Sequence, residues 1–124
     1  MEKNFKYFLD DSTGILYKHY YGPITIEDIN SSWNYAIVNS LIPKNTKGFL
    51  LDYRKARLNI KLGDYTRIAE YYSQHLEIFR DKKIAILTQS IEDIAIPSLV
   101  ETLDNQYFSR PFYTIEAALQ WILF

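Results

Sequence analysis

Residues 5–10 alternate, with Phe5, Tyr7 and Leu9 on one side and Lys6 and Phe8 on the other. Residues 15–21 alternate again, and Ile15, Tyr17, His19 and Tyr21 share a side. The cluster Asp10-Asp11-Ser12-Thr13-Gly14 between them has turn chemistry, so the two runs predict an antiparallel hairpin, ended by Gly22-Pro23. The period then changes. Ile26, Ile29, Trp33, Ala36, Ile37 and Leu41 follow helical spacing behind an N-cap at Thr25, with Glu27 and Asp28 in the first turn and a stop near Pro43. Lys47 to Tyr53 contains a short continuous apolar run, the pattern of a strand covered on both faces.

Arg54 to Gly63 reads as a polar, cationic loop. Asp64 is placed to cap a helix whose stripe is Ile68, Tyr72, Leu76 and Phe79. Lys83 to Thr88 reads as a second buried strand. Residues 94–107 read as a third helix, apolar at Leu99, Val100, Leu103 and Tyr107, with Pro97 in its first turn. Arg110 to Tyr113 reads as an edge strand, because Pro111 cannot donate to a ladder. Thr114 then caps a closing helix with Ile115, Ala118, Leu119 and Ile122 on one face. The order β-β-α-β-α-β-α-β-α predicts a single α/β domain over residues 1–124: a mixed sheet with an N-terminal antiparallel hairpin, right-handed crossovers and about four helices. The expected core is Ile29, Trp33, Phe49, Leu51, Ile84, Ile86, Leu103 and Leu119.

Composition narrows the function classes. The 124 residues suffice to bury a core without disulfide or metal, and the 48% apolar fraction is that of an ordinary globular chain. A net charge of −1 supplies no global field for nucleic acid. The absence of cysteine removes thiolate catalysis and Cys-based metal sites. No signal-type run opens the chain and no stretch nears the ~20 apolar residues of a membrane span, so the expectation is a cytoplasmic protein that does not engage membrane.

Three segments carry a family resemblance: Tyr20-Tyr21-Gly22-Pro23-Ile24-Thr25-Ile26-Glu27-Asp28, Gly48-Phe49-Leu50-Leu51-Asp52-Tyr53-Arg54, and Phe112-Tyr113-Thr114-Ile115-Glu116-Ala117-Ala118-Leu119-Gln120-Trp121-Ile122. They resemble the strand–Gly–Thr–helix junction, the central strand ending in aspartate, and the closing strand plus helix of STAS-like domains, specifically the SpoIIAA-like family. The resemblance covers nearly the whole chain and implies a regulatory or protein-interaction module without catalysis. Phosphorylatable members carry an Asp-Ser-Ser/Thr-Gly turn after the central strand. Here residues 52–64 hold no serine, and the nearest hydroxyl is Thr66, so the usual phospho-switch is not expected.

Arg54, Lys55, Arg57 and Lys61, followed by Arg67, are the strongest local anomaly. A loop leaving the carboxyl end of a central strand and entering a helix N-terminus is where open α/β sheets bind anions. The plain alternative is a solvated connection kept polar. His19 and His75 have no partner at ligand or nucleophile spacing and read as structural or surface residues. Asp10-Asp11 and Glu92-Asp93 read as a turn and a helix start rather than an acid/base pair. Tyr65, Tyr71, Tyr72, Tyr107, Phe79 and Phe108 could line a pocket or a partner surface, although Tyr72 and Phe79 already fall on the core stripe. The favoured reading is a non-catalytic interaction module with a protein partner or a second copy of itself, using these cations and the helix at 64–79. The alternative is a carrier of an anionic or amphipathic small ligand. A flat exposed aromatic patch favours the first, a pocket lined by Tyr and Arg the second. No cofactor, metal or phosphorylation site is expected.

Overall fold

In the computed structural model, which describes residues 3–124, five strands form one sheet in the order β1-β2-β3-β4-β5. β1 (Phe5–Asp10) and β2 (Ile15–Ile24) are antiparallel, and β3 (Gly48–Leu58), β4 (Lys83–Leu87) and β5 (Phe108–Phe112) continue the sheet in parallel. The helices are α1 (Ile26–Val38), α2 (Tyr65–Gln74), the single turn α3 (Leu76–Phe79), α4 (Ile91–Glu101) and α5 (Ile115–Leu123). The mixed sheet, its hairpin and the helix order are those expected.

Two helix starts form as read. Thr25 accepts from the Asp28 amide while the Asp28 carboxylate accepts from the Thr25 amide, a reciprocal capping box. Thr114 accepts from the Ala117 amide. Other boundaries differ. β2 runs through Gly22-Pro23 to Ile24. Pro23 lies beyond the reach of β1, whose ladder starts at Phe5 opposite Tyr20, so its missing N–H leaves no neighbour unpaired. α1 stops at Val38, short of Pro43. The helix expected over 64–79 breaks at His75, whose ring Nδ1 lies 2.8 Å from the Tyr71 carbonyl; Asp64 makes no side-chain cap. α4 starts behind the Ser90 cap, earlier than expected, so Pro97 lies in its interior, and it ends at Glu101. Leu103 therefore falls in the following turn and is 40% exposed, a correction to the expected core, and Leu119 is only half-buried. The other six expected core residues are buried.

The two faces of the sheet are covered unequally. On one face Leu16, Tyr20, Phe49, Leu51, Ile84 and Ile86 pack under α1 to α4, with Trp33 of α1 edge-on to Phe49 and Phe79. On the other, Ile15, Leu50, Ala85 and Leu87 pack only under α5. Gly48 lets α5 sit down: a Cβ there would meet Ile122 Cγ2 at 2.8 Å and the Lys83 carbonyl at 2.9 Å. Among the described residues, no helix covers the hairpin half of this second face.

Candidate functional site

The first half of the expected cationic loop, residues 54–58, is strand, and only residues 59–64 connect it to α2. Tyr21–Ile24 of β2 offers a ladder to Lys55–Leu58, so β3 runs to Leu58 and carries Arg54, Lys55 and Arg57 with it. Along this ladder the step from His19 to Tyr21 on β2 is matched by the longer step from Asp52 to Lys55 on β3, a bulge. An extra residue flips the alternation that follows. Leu51 and Tyr53 pack toward α1–α4, and so do Ala56 and Leu58 after the bulge. Lys55, opposite Tyr21, and Arg57, opposite Pro23, are left on the α5 side.

That side gathers a surface from three strands. Phe8 is 56% exposed and its ring lies 5.8 Å from that of Tyr17; Tyr17 stacks on His19 at 6.2 Å; Tyr21 is 39% exposed. Next to them is a buried anion. Asp52 accepts three bonds from Arg54, from the backbone amide at 3.0 Å, Nε at 3.0 Å and Nη2 at 2.9 Å, and its other flank faces His19 Nδ1 at 3.3 Å. Burial pushes the Asp52 carboxyl up. The Arg54 hydrogen bonds and the charges of Arg54 and His19 outweigh this and hold it below the ordinary carboxylate range. The guanidinium of Arg54 is raised by the same bonds. Arg54 is thus committed to Asp52. Lys55 and Arg57 are exposed, and their side chains make no hydrogen bond or ion pair among the described residues.

The five cations are not brought together. Lys61 is exposed just before a short 3-10 turn at Leu62–Asp64, and Arg67 lies on α2, 3.5 Å from Glu27 of α1, on the opposite side of the sheet. The His19–Asp52–Arg54 cluster is one that sequence reasoning missed. Its available signal is the i, i+2 spacing of Asp52 and Arg54 on a strand; the register that sets His19 opposite Asp52 leaves no local mark.

Two interior features bear on other chemistries. Lys18, beside His19 but pointing the other way, is 0% exposed, and among the described residues its Nζ has no hydrogen-bond partner. The Nζ lies 3.6 Å from the ring centre of Trp33, 4.8 Å from Tyr20 and 5.4 Å from Tyr7. Cation–π attraction is worth about 2 kcal/mol when desolvated, whereas burying an unpaired ammonium costs several kcal/mol. Burial wins and pushes the amine well below its ordinary pKa. The second feature is an apolar cavity of about 20 Å³ between α2, α4 and the sheet, lined by residues including Leu51, Tyr53, Ile68, Tyr72, Ile96 and Pro97. It has room for about one water, far below the ~300 Å³ of a small ligand pocket. Among the described residues no group of three or more His, Asp or Glu is placed to hold a metal ion, and no helix is long and apolar enough to cross a membrane.

The order, register and layering define a SpoIIAA-like, STAS-like α/β fold. A solved structure of an uncharacterized protein of the DUF3478 family with a SpoIIAA-like fold, from Shewanella loihica PV-4, superposes over 95% of this chain and 91% of its own, with a TM-score of 0.62 and 16% identity. The anti-sigma factor antagonist SpoIIAA in its unphosphorylated form aligns over 95% of this chain and 96% of its own, with a TM-score of 0.46 and 10% identity. No family model and no curated protein matches the sequence.

Proposed function

We propose that the chain is a non-catalytic, cytoplasmic interaction module, and that it docks an acidic partner on the open half of the sheet beside α5. The observation that carries this reading is the pairing of unengaged cations with exposed aromatic rings on one unroofed face. Lys55 and Arg57 stand free at the far end of β3, Lys55 opposite Tyr21, with Tyr17 and Phe8 further along the same face. Aromatic rings and arginine supply most of the binding energy of protein interfaces, and a guanidinium clamps a carboxylate through two parallel bonds. Arg54 contributes shape rather than free charge, because Asp52 neutralises it and fixes its fork. The SpoIIAA-like fold is compatible with such a role by analogy of architecture. The alternative of a small-ligand carrier would draw on the narrow apolar cavity or on open surface clefts, such as one of about 270 Å³ beside Lys83, Arg110 and Trp121.

The test is affinity purification of the tagged chain from its native cells, as wild type and as Lys55→Glu/Arg57→Glu, in rising salt. A partner lost both in the double variant and with salt supports the reading, since exposed charges are screened within ~8 Å at physiological ionic strength. A partner retained equally by both proteins contradicts it.

A further inference from the structure

β1 is one free edge of the sheet; at the other edge, Pro111 deprives β5 of a donor. The Tyr21 amide donates to the Asn4 carbonyl at 2.9 Å, which fixes the parity of the hairpin ladder. Hydrogen-bonded pairs alternate along an antiparallel pair. The main-chain groups of Lys6, Phe8 and Asp10 therefore turn toward His19, Tyr17 and Ile15, and those of Phe5, Tyr7 and Leu9 turn outward. Among the described residues nothing takes up these outward groups. The strand has no proline and no bulge to blunt it.

We propose that the occupant of this edge is a second copy of the chain, with β1 pairing antiparallel to β1 about a twofold axis at Phe8. A symmetric pair must place outward-turned residues opposite one another. That leaves two central registers. Centred on Tyr7, Lys6 would face Phe8 of the second copy and gain nothing from its charge. Centred on Phe8, Lys6 faces Asp10 of the second copy, twice by symmetry, while Tyr7 exchanges backbone bonds with Leu9 and Phe8 stacks against Phe8. Lys6 is exposed and makes no ion pair among the described residues. Asp10 gives Oδ1 to the Ser12 amide and hydroxyl at 3.0 and 2.7 Å and keeps Oδ2 for a partner. Lys6 and Asp10 cannot satisfy each other within one chain, because four residues of extended strand hold their backbones roughly 13 Å apart. The dimer does not rest on the docking reading, which depends on Lys55 and Arg57. It joins two open sheet faces across the axis.

The chain has no cysteine, so Phe8→Cys carries a single thiol. Phe8 sits at a non-hydrogen-bonded position of the proposed ladder, where side chains approach most closely. Under mild oxidation Phe8→Cys should form a disulfide dimer, whereas Tyr21→Cys, also exposed but on β2, should remain monomeric. In sedimentation equilibrium, Lys6→Glu and Asp10→Lys should each weaken self-association roughly tenfold or more. Mixing the two variants should restore it, because in the mixed dimer position 6 of each copy again faces an opposite charge at position 10 of the other. Circular dichroism checks that each variant is folded. Wild type that stays monomeric while Phe8→Cys crosslinks no faster than Tyr21→Cys overturns the proposal. So does a dimer whose affinity ignores both charge reversals.

Discussion

Lys18 and His19 are consecutive residues on β2 and point to opposite faces of the same sheet. Lys18 enters the face roofed by α1–α4, is sealed among Trp33, Tyr20 and Tyr7, and pairs with nothing. His19 enters the face that α5 only half covers, stays partly exposed, and lies beside Asp52, which Arg54 clamps. One face holds its polar residue in a closed core, at a cost in stability. The other keeps its charges satisfied or free, beside rings that solvent reaches. The contrast separates what folds the chain from what is available for recognition.

The sharpest way to break the comparison is to open the roofed face. Trp33→Ala should lower the free energy of unfolding by about 3–5 kcal/mol in denaturant titration, as for other buried Trp truncations, because Trp33 touches Phe49, Tyr72 and Phe79 edge-on. A loss below about 1 kcal/mol would mean that α1 does not seal this core.

Lys18→Met should go the other way. Methionine keeps the length, packs well against rings and removes the unpaired amine, so a gain of about 1–3 kcal/mol is expected at pH 7. The pH dependence carries the sign. The Lys18 pKa is lowered on folding, so between its folded value and the ordinary ~10.4 the unfolded chain binds a proton that the folded chain does not. Wild-type stability therefore rises with pH across that interval toward about 9.5, and Lys18→Met flattens that slope. Above about pH 10 both proteins lose stability, because burial raises the pKa of Tyr7, Tyr20, Tyr53 and Tyr72 and only the unfolded tyrosines ionise. Equal slopes in the two proteins at pH 7–9.5 would show that Lys18 is charged in the core.

Asp52→Asn probes the half-open face, with a smaller effect of about 1 kcal/mol at pH 7, since Arg54 is partly exposed. The Asp52 pKa is lowered on folding. Its contribution is present above the unfolded value of ~3.9 and is lost as pH falls through the folded value. The variant should thus differ from wild type at pH 7 and converge with it at the acid end; a constant gap down to about pH 2 would assign the effect to packing.

What the sequence discloses follows from how local each signal is. Thr25 and Thr114 cap their helices with side chains that reach only three residues ahead, and the hairpin shows in the alternation of residues 5–10 and 15–21. Phe49-Leu50-Leu51 reads as doubly buried because both faces of β3 are apolar there. The candidate site is harder to read because it depends on register. Gly22-Pro23 looks like a terminator until β3 is known to lie beside it. The bulge that turns Lys55 and Arg57 toward the open face exists only in the pairing of β2 with β3. Alternation on β2 shows that Lys18 and His19 diverge, but nothing local shows which of them enters the deeper core. Leu103 drops out of the core because α4 begins and ends early, and Pro97 has the look of a first-turn residue although packing holds it inside the helix.

The central claim is that the unroofed face, and not the roofed side, meets the partner. Tyr21 and Ile37 make a matched pair for testing it, 39% and 38% exposed, the first on the open face and the second on α1. A photoreactive phenylalanine analogue would replace each in turn, and the chain would be irradiated in its native cells. The account predicts a discrete crosslinked protein from position 21 that disappears with Lys55→Glu/Arg57→Glu, and only diffuse products from position 37. A discrete crosslink from position 37 with none from position 21 would contradict it.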